Sequence, residues 1–300
     1  MLKMGLFGNY AKEGPGVKKN EPQKKRFFYF FELYFRKFGK LMTLSLLYSL
    51  FILPIFIITH FVLLGHYFAS LFYLIPILTV GPATAGATYV LRNFAREEPT
   101  FLAGDFFEAF RSNYKQSVVL SIIDTLFFIV SGIAISFYWQ RTQGSVFYMI
   151  LLALSITVLI IGIFMNFYLY ILTVTVELKI KDILKNAFFF AVIGLKTNFI
   201  TLFFIIVVLA LFLGIGLLLP VDYILALMAI ALLMMLFGYS TIGFIINFNA
   251  YPYIKKHCID PYLAQQNEQR AEEGESEEDE ESIFQDELII KDPREEDEKE

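Results

Sequence analysis

The stretch LMTLSLLYSLFILPIFIIT (Leu41–Thr59) holds no charged residue and no run of polar ones. A helix needs roughly 20 mostly apolar residues to cross a hydrocarbon core about 30 Å thick, and this segment meets that length. Within lipid the backbone polar groups can be satisfied only by a helix or a closed barrel. Barrel strands are shorter and alternate in polarity, so the unbroken run predicts a transmembrane helix.

Five more stretches read the same way: Phe68–Leu91, Val118–Tyr138, Val146–Val176, Phe199–Leu219 and Tyr223–Phe248. The composition agrees, with 57% hydrophobic and 17% aromatic residues, 34 of them Phe. The chain is therefore predicted to be an all-α membrane protein with six spans. Three domains follow: a basic, aromatic segment 1–40, a six-helix domain 41–259 and an acidic tail 260–300.

Basic residues set the orientation. Residues 1–40 hold ten Lys/Arg. The gap after the second span holds Arg92, Arg96, Arg111 and Lys115; the gap after the fourth holds Lys179, Lys181, Lys185 and Lys196. Six more follow the sixth span, whereas the intervening gaps hold only Arg141. By the positive-inside rule both termini are expected in the cytoplasm of a bacterial plasma membrane. Residues 1–40 are not expected to be a cleavable signal, whose apolar stretch would lie nearer the start. The one cysteine, Cys258, can form no intrachain disulfide.

Each basic gap also carries an aromatic, amphipathic stretch leading into a lysine and then a span. These are FFYFFELYFRKF (Phe27–Phe38), FLAGDFFEAFRSNY (Phe101–Tyr114) and IKDILKNAFFFAVIGL (Ile180–Leu195). Such segments suit the headgroup region, where rings bury and basic heads meet anionic lipid. Lys24, Lys25, Arg26, Arg36 and Lys37 are the lipid-interface candidates of the first. The pattern predicts three parallel copies of one unit, an interfacial helix followed by a transmembrane hairpin.

Candidate functional positions are few. GPATAG (Gly81–Gly86) joins a proline, which removes a backbone donor, to small residues that allow close helix approach. Gly81, Pro82 and Gly86 are expected to mark either a close-packed kink or a helix break beside a pathway. Asp124 is the only carboxylate well inside a span. Intramembrane acids are costly and face the bundle interior, so Asp124 is a pathway candidate. It is either hydrogen-bonded by Asn166, Ser121 or Ser155, or carried as a neutral acid. Asn166 is a second candidate; Asn247 and Asn249 are lesser ones. Arg92, Arg96, Glu97, Glu98 and Asp105 form either a solvated linker or a docking surface for a soluble partner. His60 and His66 alone are a poor metal site.

No phosphate-cradling GxxxxGK[ST], HExxH or GxSxG is present. Neither an enzyme nor a cofactor or metal is expected, and nothing points to nucleic acid. The tail from Asp260 carries a net charge of −14 and is expected to be disordered. Within it, SIFQDELIIKDP (residues 282–293) is a spacer or a short motif for a soluble partner.

GPGVKKNEPQKKRFFYFFELYFRKFGKL (Gly14–Leu41), GPATAGATYVLRNFAREEP (Gly81–Pro99) and the DFFEAFRSNYKQS that follows resemble the YesL-like family of bacterial integral membrane proteins. The family is one of unknown function, and the resemblance covers about residues 5–260. Its members have six spans by hydropathy and lie beside carbohydrate-uptake and polysaccharide-degradation genes. The resemblance implies an accessory or regulatory role in oligosaccharide uptake, with sugar-import transporter subunits as partners. It supplies no catalytic residues. The alternative is a small autonomous transporter or channel, with Asp124 and the Gly81–Gly86 break at its pathway.

Overall fold

A computed structural model describes residues 25–142, 145–218 and 223–273. Lys24 and the 282–293 motif lie outside these residues. The described chain is helical throughout, and six helices are long and apolar enough to cross a membrane. They are α2 (Phe38–Leu63), α3 (Leu74–Ala95), α5 (Tyr114–Trp139), α6 (Val146–Thr175), α8 (Leu195–Leu218) and a composite sixth span. The sixth comprises α9 (Tyr223–Leu233), a π-helical turn at Met234–Gly238 and α10 (Tyr239–Ile254). A second π-turn, Lys255–Ile259, joins it to α11 (Asp260–Glu273).

The bundle is apolar on its outside. Leu50, Ile133 and Phe203 are 63%, 64% and 60% exposed, while Ser45, Ser117 and Asn198 are buried. A surface of this kind is stable only against hydrocarbon, so a lipid bilayer is its environment. Helix α2 ends at Gly65 (φ 91°), with Gly65 N–H bonded to Val62 O and His66 N–H to Phe61 O. Glycine takes this left-handed position without steric cost.

Three shorter helices occupy the expected aromatic segments: α1 (Arg26–Arg36), α4 (Leu102–Ser112) and α7 (Ile180–Ile193). A single residue separates each from the span that follows. Those residues are Lys37 (φ −100°, ψ 6°), Asn113 (φ −97°, ψ 12°) and Gly194 (φ −83°, ψ 15°). All three sit in the sparsely allowed bridge region near ψ 0°. The carbonyl of each accepts from the N–H four residues on, in Leu41, Ser117 and Asn198. Each new span therefore starts its hydrogen-bond ladder at the break itself.

Two expectations need correction. The helix does not break at GPATAG: α3 runs unbroken through Pro82 to Ala95. The irregular backbone of this span is instead at its start, a 3₁₀ segment at Tyr67–Tyr73 that precedes α3, and the sixth span carries the π-turn at Met234–Gly238. Nor does structure end at Asp260, since α11 continues to Glu273. Pro261 lies in its first turn, where a missing N–H costs little, and Ala, Gln and Glu are good helix formers.

Candidate functional site

The basic ends of the spans converge, and polar side chains there tie them together. Arg92, on the last turn of α3, is only 6% exposed. Its Nη1 donates to the Val174 carbonyl (2.7 Å) and Thr175 Oγ1 (3.3 Å) at the end of α6. Its Nε and Nη2 both donate to Asn93 Oδ1, at 3.1 and 2.9 Å. The guanidinium lies over the Tyr89 ring, 4.6 Å from its centroid. The final carbonyls of a helix lack intrahelical partners and carry partial negative charge, so a buried cation suits them. Arg92 is thus a buried clamp between spans; as a docking residue it is a correction.

Asn198 plays the matching part at the start of α8. It accepts from Tyr168 Oη (2.8 Å) and donates through Nδ2 to the Phe190 and Ala191 carbonyls, 3.3 and 3.0 Å away. Gln116 Nε2 reaches the Leu178 carbonyl at 2.5 Å. Sequence reasoning passed over Asn198 and Tyr168. The available signal was an uncharged amide two residues past Lys196, too deep to be an interfacial head.

The other expected docking residues divide. Asp105 Oδ2 accepts from the Phe101 N–H at 3.0 Å, reaching back to hold the start of α4. Arg96 pairs with Glu98 and lies over the Tyr251 ring, 5.4 Å from the centroid. Between them Glu97 is exposed with φ 61°, the only non-glycine residue with positive φ among those described. Glu98 N–H bonds to Asn93 O (2.9 Å) and Glu97 N–H to Phe94 O (3.2 Å), the same closure as at Gly65. Lys25, Arg26 and Arg36 are exposed. Lys37 is half-buried, with its ammonium 5.4 Å from the Phe94 ring centroid, so it also serves the bundle.

Gly81 and Gly86 act by size. A Cβ on Gly81 would collide with the Ser117 carbonyl of α5 and lie 2.8 Å from Ser121 Cβ. One on Gly86 would lie 2.5 Å from the Phe106 carbonyl of α4. The small residues flanking Pro82 let α3 approach both neighbours at backbone distance.

Deeper in the bundle, Asn166 Nδ2 of α6 donates to Asp124 Oδ1 of α5. Of the three expected partners it is Asn166 that meets the acid. Ser121 bonds the Ile77 and Val118 carbonyls, and Ser155 bonds Leu151 O. Asn166 also lines a cavity of about 210 Å³ between α2, α3, α6 and α10. Tyr48 and Thr84 share a hydrogen bond of 2.9 Å in its wall, beside Thr88, Tyr170, Tyr239 and Asn247. The sequence signal for this wall was Thr84 and Thr88, four residues apart on one face of α3.

A family model described as a protein of unknown function, DUF624, matches residues 41–135, from the opening of α2 to near the end of α5. No curated protein and no solved structure matches the chain.

Proposed function

We propose that this chain is a non-enzymatic accessory or regulatory component of a bacterial plasma membrane, linked to oligosaccharide uptake, with both termini cytoplasmic. The observation that supports it is the Arg96–Glu98 corner. An exposed carboxylate stands there on a backbone conformation that a glycine would hold with less strain. It projects from an end of the bundle where Arg92 and Asn198 hold the helices together. A fixed charged projection on a clamped base suits docking of a soluble transporter subunit. The link to sugar uptake rests on the resemblance of the Gly14–Leu41 and Gly81–Ser117 segments.

The test is a mild-detergent pull-down of the tagged protein from its native membrane. Recovery of sugar-permease or ATP-binding subunits, lost in Glu97→Lys, supports the reading. Recovery of the protein without them, at full extraction, overturns it.

The Asp124–Asn166 pair beside a cavity favours a second reading, a small autonomous transporter. Flux in liposomes containing this protein alone, reduced by Asp124→Asn, would establish it. The same proposal takes the chain as three parallel copies of one unit. Its support is the shared backbone geometry at Lys37, Asn113 and Gly194. An experimental structure whose three units fail to superpose would refute the repeat.

A further inference from the structure

We propose that the cavity between α2, α3, α6 and α10 is a binding site for a small uncharged molecule bearing neighbouring hydroxyl groups on an apolar ring-sized body. Charge is excluded by the lining: no Asp, Glu, Lys or Arg side chain forms its wall. An ion would enter such a space with no charged group in the wall to meet it, at a large desolvation cost; Asp124 stands behind Asn166, outside the wall.

The hydroxyl preference follows from which wall groups are satisfied. Thr88 and Tyr170 are 7% and 8% exposed, line the cavity, and make no hydrogen bond among the described residues. A buried hydroxyl is ordinarily partnered, so two in one wall are two places for a ligand. Both can donate as well as accept. A group with both donor and acceptor capacity answers both positions, and a hydroxyl is the smallest.

The apolar body follows from the rest of the wall. Tyr48 and Tyr239 stand edge to face at 5.4 Å between ring centroids, and Phe167 also contributes. A flat apolar face packs against such rings. An independent feature marks the same wall: the π-turn at Met234–Gly238 ends where Tyr239 and Ser240 enter the lining. π-turns interrupt a helix at a cost and recur at functional sites. The cavity draws on none of the residues of the Arg96–Glu98 corner, so its fate is independent of partner docking.

The test uses the full chain in lipid nanodiscs and cis-1,2-cyclohexanediol as probe, read by saturation-transfer NMR and calorimetry. Saturable binding is expected, weakened at least tenfold in Tyr170→Phe and in Thr88→Val. Both variants should keep the wild-type unfolding temperature within a few degrees, which separates lost binding from lost fold. If one of them fails to fold, the other provides the comparison. Cyclohexane-1,2-dicarboxylate should not compete. Binding that is absent, unchanged in the variants, or matched by the dicarboxylate would overturn the proposal and leave a water-filled or lipid-filled space.

Discussion

The Arg92 guanidinium donates to the Val174 carbonyl at 2.7 Å, so the last turn of the second span is held by the last turn of the fourth. Three neutral acceptors share this cation: a backbone carbonyl, a threonine hydroxyl and the neighbouring Asn93 amide. Its planar fork meets them from several directions at once, which an ammonium on a flexible stem does not do. Arg92→Lys is therefore expected to destabilise the protein by about 2–4 kcal/mol, the scale for losing buried hydrogen bonds to a charged group. Denaturant unfolding in a fixed detergent measures this. A lysine variant as stable as the parent would show that the clamp contributes nothing.

Gly86 predicts a steric effect. Its α-hydrogen faces the Phe106 carbonyl, and an added Cβ would lie 2.5 Å from that oxygen. Gly86→Ala should cost about 1–3 kcal/mol through overpacking. Gly132 of α5 has nothing within 4 Å of the same construction, so Gly132→Ala should be neutral or slightly stabilising. The contrast between the two, read as thermal midpoints, separates close packing from intrinsic helix propensity.

Glu97 predicts a gain. A left-handed conformation costs a non-glycine residue about 1–2 kcal/mol. Part of the relief is offset by the greater freedom of glycine in the unfolded chain. Glu97→Gly should thus raise stability by at most about 0.5–1 kcal/mol, less whatever the side chain's present interaction contributes, while abolishing any partner capture that depends on the carboxylate. A variant less stable than the parent would mean that the side chain makes a contact worth more than the strain.

Asp124 and Asn166 predict a split between two substitutions. Asparagine at 124 still offers an oxygen to Asn166 Nδ2, whereas leucine offers none. Interhelical polar contacts in membranes average about 0.6 kcal/mol and reach about 1.7. Asp124→Asn should be within about 0.5 kcal/mol of the parent, and Asp124→Leu lower by about 1 kcal/mol, on that scale. Equal losses from both would show that the charge, rather than the hydrogen bond, matters for folding.

The aromatic segments were legible because interfacial helices have a periodic pattern and a lysine close behind. Their observed bounds, Arg26–Arg36, Leu102–Ser112 and Ile180–Ile193, fall within two residues of that pattern at every end. The GPATAG segment left a close-packed kink and a helix break both open, and the helix runs through it unbroken. Composition alone cannot distinguish a proline that breaks a helix from one whose neighbours pack so closely that the helix persists. Acidic composition likewise concealed α11, where good helix formers follow the π-turn.

Arg92 and Arg96 show the same limit at one helix end. Both follow the second span as basic residues at a membrane boundary, and by sequence they are equivalent. One is buried between α3 and α6, and the other pairs with Glu98 beside Tyr251.

The sequence by itself determined the number of spans, the segments that form them and the side on which the charges collect. These follow from the cost of placing apolar or charged groups in water or hydrocarbon, a property of each residue and its near neighbours. Only the tertiary structure decided that Arg92 is a clamp, that Asp124 meets Asn166 and that Thr88, Tyr170 and Asn247 share one cavity. Those relations depend on the rotation and depth of each helix against its neighbours. In a bundle that is apolar on every side, periodicity carries little information about either.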